Sequence, residues 1–106
     1  MKPETQLATG KTAALKYAID VVTQKLGYSR KKLTRDYPTV NLNTLRRIFN
    51  REEIKPYNQN FYMNLFTRIL LHEYHECIRR GDTGRQILRM IAQIHCIENG
   101  LNIDEE

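Results

Sequence analysis

The apolar residues of this chain recur every three or four positions, in segments that are separated by glycine, proline and short polar stretches. This spacing gathers apolar side chains on one face of an α-helix, whereas a half-buried strand needs alternation at every second residue, and no such stretch is present. The pattern therefore predicts an all-α fold with about five helices. A chain of 106 residues is long enough for one compact domain, 1–106, and too short for two ordinary ones.

The first half of the chain carries clear helix start and stop signals. The first helical pattern ends at Gly27, and residues 1–10 before it are interpreted as a flexible arm. Ser29 is predicted to cap a short second helix, with Leu33 as its inward anchor. Because a proline disfavours the helical conformation of the residue before it, this helix is predicted to end ahead of Pro38.

Three further helices are predicted after this point. The third runs from about residue 42 to about residue 50 and is capped by Asn41, and the fourth spans about residues 60–80 after a polar loop. Thr83 with Gln86 three positions later has the form of a capping box, which predicts the start of a last helix.

Charge is distributed unevenly along the chain. Residues 1–60 hold 12 Lys and Arg against 5 Asp and Glu, whereas residues 61–106 hold 5 against 7. A cationic surface of this kind favours a polyanionic partner, because Lys and Arg that neutralise phosphates release counterions. The alternative is a solvated basic face that serves solubility alone.

The third predicted helix has two contrasting faces. At 100° per residue, four apolar side chains are predicted to face inward: Leu42, Leu45, Ile48 and Phe49. The outward face has no acidic residue and consists of Asn43, Thr44, Arg46, Arg47 and Asn50. Arg can donate two parallel hydrogen bonds to guanine, and Asn can pair a donor and an acceptor with adenine, so these side chains suit reading of the DNA major groove.

Two segments resemble the phage-repressor-like helix-turn-helix family of DNA-binding proteins. They are SRKKLT at 29–34 and TLRRIFNR at 44–51, followed at the family's spacing by Pro56 and Phe61. In the second segment Arg51 stands where the family has a glycine. The resemblance implies a helix-turn-helix core over residues 13–71, with two longer C-terminal helices that include an extension over 72–106.

The family resemblance and the composition of the outward face together give the expected DNA contacts. Double-stranded DNA would be read in the major groove by Asn43, Thr44, Arg46, Arg47 and Asn50. The DNA backbone would be contacted by Ser29, Arg30, Lys31, Lys32, Arg51 and Lys55. The expected function is that of a non-enzymatic, repressor-like transcriptional regulator that needs no cofactor.

The last predicted helix carries an apolar stripe, for which two interpretations stand open. The stripe consists of Ile87, Leu88, Ile91, Ile94 and Ile97. It would either complete the core or join two copies into a homodimer, in which two recognition helices read a near-palindrome. A further alternative is that the chain is a helical protein-interaction module that binds its partner through these C-terminal helices.

Histidines and cysteines near the C-terminus raise the alternative of a metal-dependent enzyme. The candidate ligands would be His72, His75, Cys77, His95 and Cys96. The zinc-protease motif separates its histidines by four positions, but His72 and His75 are three apart, so we predict no metal site and no catalytic residue.

Neither a membrane span nor a secretory signal is evident in the sequence, because no run of about 18 apolar residues occurs. The expectation is a cytoplasmic protein that does not associate with membranes. Two cysteines are too few for a disulfide framework, and both are expected to be free thiols.

Overall fold

The computed structural model of the chain describes residues 3–100, with side chains from residue 10 onward. Over this range the chain forms five α-helices and no strand, which confirms the all-α prediction. The helices are α1 (Pro3–Asp20), α2 (Arg30–Asp36), α3 (Leu42–Phe49), α4 (Pro56–Arg79) and α5 (Arg85–Glu98), and a π-helical turn, Val21–Lys25, continues α1. No helix within residues 3–100 combines the length and the apolar character that crossing a membrane requires.

Helix α1 lies at the centre of the molecule and packs against α3, α4 and α5. Its buried residues Ala14, Leu15, Ala18 and Ile19 are at most 2% exposed. They meet one continuous core to which every helix contributes, and the largest fully buried side chain there is Phe66 of α4. The short helix α3 packs directly against α1, and α2 packs against α3 and is anchored in the core by Leu33.

Helix α1 begins at Pro3, so most of the segment predicted to be a flexible arm over 1–10 is helical. Proline is tolerated in the first turn of a helix, where its missing N–H would have no intrahelical acceptor. Gly10 lies where α1 meets the end of α5, and a Cβ at this position would lie 3.5 Å from the carbonyl oxygen of Glu98. This is an ordinary contact distance, so the packing would tolerate a side chain here, and Gly10 lies inside α1 and does not mark a helix boundary.

Two local features join α1 to α2. Gly27 adopts a φ of 81°, which confirms the predicted stop, and the Ser29 hydroxyl accepts a hydrogen bond from the Lys32 amide at 3.0 Å, which confirms the predicted cap. The Tyr28 hydroxyl donates to the Glu73 carboxylate on α4 at 3.0 Å. Burial, and next this hydrogen bond, raise the pKa of Tyr28 to about 12, so the phenol keeps its proton and remains a donor.

Helix α4 begins at Pro56, several residues before the predicted start. The proline that suggested a loop occupies the first helical position, where its fixed φ favours a helix. As a consequence, Tyr57 lies in the first turn of α4 beside α3, and its side chain is 80% exposed.

The predicted capping box before α5 does not form. Gly84 is the N-cap residue, with a φ of 65°, and the Thr83 hydroxyl accepts from the Arg85 amide at 3.3 Å instead of from Gln86. The helix consequently starts at Arg85, one residue later than the capping-box pattern places it.

The apolar stripe of α5 mainly completes the core, which is one of the two interpretations that the sequence left open. Ile87 and Ile94 are buried, and Ile91 and Ile97 are half-buried against the core, whereas Leu88 remains 45% exposed. The predicted extension over 72–106 is therefore, in its described part, an integral element of the single core, and residues 101–106 lie outside the described residues.

Candidate nucleic-acid interface

Helix α3 is fixed by a cap at its start and by buried anchors along its inner side. The Asn41 side-chain oxygen accepts from the Thr44 amide at 3.1 Å, and the Asn41 amide donates to the buried Tyr62 hydroxyl at 2.8 Å. Leu45 and Ile48 are 0% and 2% exposed. These contacts determine which side chains of α3 face outward.

The outward side of α3 presents the predicted base-reading residues. We call Asn43, Thr44, Arg46, Arg47 and Asn50 the α3 face. All are exposed except Thr44, which is half-buried where α3 approaches α4. The Arg46 guanidinium donates to the Asn43 side-chain oxygen at 3.1 Å, which holds both side chains along the helix surface.

Leu42 departs from the prediction that it faces inward with Leu45 and Ile48. It is the first residue of α3, and its side chain is 51% exposed. At 100° per residue, Leu42 lies at the border between the buried face and Arg46, so a small rotation of the helix decides on which side it falls. The sequence pattern cannot resolve such a rotation.

Cations surround the α3 face, and most of them have no acidic partner. Within residues 10–100 no carboxylate lies within ion-pair distance of a group of basic residues that comprises Arg30, Lys31, Arg46, Arg47, Arg51 and Lys55. The Arg30 guanidinium lies 5.1 Å from the centre of the Phe49 ring, which supports it beside α3. Their guanidinium and ammonium groups therefore provide hydrogen-bond donors without acidic partners on one surface.

Two residues of the predicted backbone-contacting set have partners inside the protein. The Ser29 oxygen is occupied as the cap of α2. The Lys32 ammonium lies 3.6 Å from the Asp36 carboxylate and 5.2 Å from the centre of the Tyr28 ring. Both therefore contribute to the local structure of α2, and Lys31 offers the more available charge.

Arg51, directly after α3, has a φ of 59°. A side chain in this left-handed conformation costs about 1–2 kcal/mol relative to glycine. The Arg51 side chain is exposed at this turn.

Depressions flank the α3 face on both sides. One, of about 460 Å³, lies between α3 and the start of α4 and is lined by Arg47, Tyr57, Asn58 and other residues. The other, of about 350 Å³, lies between α2 and α3. Tyr57 was not among the sequence-predicted site residues, and the signal that could have revealed it is Pro56 as the first residue of a helix.

The candidate metal ligands are not brought together. In the part of the chain whose side chains are described, no three His, Cys, Asp or Glu residues form a group that could hold a metal ion. His72 and His75 are exposed on α4, and Cys77 and Cys96 are half-buried free thiols. The free state of both cysteines agrees with the prediction.

No protein-family model matches this chain, and no curated protein or solved structure is significantly similar to it. A functional assignment therefore depends on the structure itself. Its main feature is the cluster of exposed basic and amide side chains around α3.

Proposed function

We propose that this chain binds double-stranded DNA in a sequence-specific manner and acts as a transcriptional regulator, with α3 in the major groove. The observation that carries the proposal is the α3 face itself. Its Arg and Asn side chains are exposed, no carboxylate pairs with its arginines among the described residues, and its inner side is anchored by Leu45 and Ile48. A helix with one rigidly held face can present the other in a defined orientation.

The size of α3 suits this role. An α-helix with its side chains is about 10–12 Å across, which fits the major groove of B-DNA, about 12 Å wide. Arg47 is free to donate both terminal nitrogens to one guanine, and Asn50 can pair with an adenine edge. Arg46 is oriented by its hydrogen bond to Asn43, so these two side chains would contact the DNA as a pair.

The surrounding cations would hold the duplex without specifying its sequence. Lys31 lies on α2, Arg51 directly after α3 and Lys55 at the N-cap of α4, so a duplex on the α3 face would meet positive charge from three segments. Contacts of this kind fix the register of a protein on DNA and supply most of the salt-dependent affinity.

The proposal predicts a steep salt dependence of binding. Fluorescence anisotropy of a labelled mixed-sequence duplex should give an association constant that falls linearly with salt on a log–log plot. The expected slope is about −3.6 if Arg30, Lys31, Arg51 and Lys55 each contact one phosphate, because each contact adds about −0.9. Lys31→Ala should make the slope shallower by about one, whereas the control Arg85→Ala on α5 should leave it unchanged. Absence of binding at low salt would refute the proposal.

We further propose that two copies pair through the outer side of α4 and α5. Leu71 and Ile78, two helical turns apart on α4, are 42% and 47% exposed, and Leu88 is 45% exposed on α5. Light scattering at micromolar concentration should give twice the chain mass of 12.6 kDa. Ile78→Lys should return the mass of one chain, and a monomeric wild-type protein would contradict this second proposal while leaving DNA binding by one copy intact.

A further inference from the structure

One apolar side chain interrupts the basic surface beside the α3 face. Leu42 is 51% exposed and lines the depression of about 350 Å³ between α2 and α3. The other lining residues are Arg30, Lys31, Thr34 and Arg46. Leu42 is thus an exposed leucine surrounded by three cations.

The apolar side chain at this position adds little to folding. Leu45 and Ile48 already anchor α3 in the core, and Asn41 caps its first turn. A half-exposed leucine gains only part of the burial energy that these residues gain. The apolar group at the start of α3 is therefore available for a contact outside the protein.

The depression combines apolar walls with a cationic rim. The Thr34 hydroxyl donates to the Lys31 carbonyl at 3.0 Å, so its hydrogen bond is satisfied within α2 and its methyl group can contribute an apolar contact. The rim attracts a polyanion, while the walls favour a small apolar group presented by that same polyanion. In the major groove of DNA, the 5-methyl group of thymine has this character.

We propose that Leu42 is a specificity-determining residue that reads the 5-methyl group of a pyrimidine in the major groove. This inference rests on the proposed DNA-binding function and deepens it. Leu42 is the first residue of α3, and the N-terminal residues of a recognition helix are those that meet base edges. Thymine supplies the methyl group in unmodified DNA, and 5-methylcytosine presents the same group at the same ring position.

The experiment removes the methyl group and nothing else. A preferred duplex is selected from a random library with the full-length protein, and each of its thymines is then replaced singly by deoxyuridine. At one position we expect binding to weaken about 4-fold, the effect of losing one buried methyl group. Leu42→Ala should bind the thymine and uracil duplexes equally at that position. Gln86→Ala, which truncates an exposed, uncharged side chain on α5 outside both proposed interfaces, should retain the difference.

A second set of duplexes identifies the source of the methyl group. Here each cytosine of the selected duplex is replaced singly by 5-methylcytosine. Tighter binding at one cytosine that disappears in Leu42→Ala would support the inference with methylcytosine as the source. A loss confined to thymine-to-uracil replacement would support it with thymine as the source.

The outcomes separate this inference from the proposal on which it rests. If the protein binds DNA but no methyl group affects its affinity, or if the effect persists unchanged in Leu42→Ala, the role of Leu42 is overturned and DNA binding stands. If no duplex binds even at low salt, the proposed function itself fails. Thermal unfolding of Leu42→Ala, followed by circular dichroism, should match the wild type closely enough to exclude loss of folding as the cause.

Discussion

Gly84→Ala is expected to destabilise the protein by about 2–4 kcal/mol, because it combines backbone strain with a steric clash. Gly84 has a φ of 65°, in the left-handed region that a side chain disfavours. A Cβ at this position would lie 2.6 Å from Cδ1 of the Tyr74 ring, closer than two carbon atoms can approach. The ring is half-buried beside the core, so either Tyr74 or the start of α5 must move.

Gly81→Ala is the matched control for this prediction. Gly81 has a φ of 90°, and a Cβ at this position would meet no atom within 4 Å, so only the backbone strain of about 1–2 kcal/mol remains. The free energy of unfolding of both variants can be measured by urea denaturation followed with circular dichroism. Equal losses in the two variants would mean that the Tyr74 ring moves aside without cost, and the predicted steric contribution would be wrong.

Local sequence signals predicted those parts of the fold that depend on single residues. Ser29 and Asn41 cap α2 and α3 through short-range hydrogen bonds, and such bonds depend mainly on residue type and position. Proline occurs both in loops and in the first turn of a helix. The sequence pattern therefore does not predict that α1 starts at Pro3 and α4 at Pro56. Whether a given proline lies in a loop or in a first helical turn depends on tertiary packing, which the local sequence pattern does not reveal.

Gly84 illustrates the same limit at the start of α5. Thr83 and Gln86 fit a capping box by spacing alone, but the tight connection after α4 requires a left-handed residue and a close approach to Tyr74. Glycine at position 84 meets both requirements, so the N-cap falls there and the helix begins at Arg85. A constraint from a residue ten positions away overrides a local motif.

The sequence predicts which residues form the candidate interface better than it predicts how each side chain is placed. Periodicity assigned Arg47 and Asn50 to the outer side of α3, since they lie nearly opposite Leu45 and Ile48. Leu42 lies at the border of the two faces, where the exact rotation of α3 decides its exposure. The position of Tyr57 depends on where α4 begins. The residues next to it in the sequence do not predict that it lies beside α3.

Arg47→Ala is expected to relax sequence preference at one base pair and to cost about 1–3 kcal/mol on the preferred duplex. Arg47 is exposed on the α3 face, and no carboxylate in the described part of the chain pairs with it, so both guanidinium nitrogens are available to a guanine. Arg47→Lys keeps the charge but loses the paired donors, and it should lose most of the preference while retaining more affinity. Competition binding against duplexes that each carry one base-pair change measures both effects.

Lys31→Ala distinguishes base reading from charge at this interface. Lys31 lies on α2 at the rim of the depression that Leu42 lines, and in the proposed complex it contacts the backbone alone. Its loss should weaken every duplex by the same factor, so the rank order of sequences is preserved. If Lys31→Ala changed the rank order and Arg47→Ala did not, the duplex would lie closer to α2 than proposed, and α3 would hold the DNA without reading it.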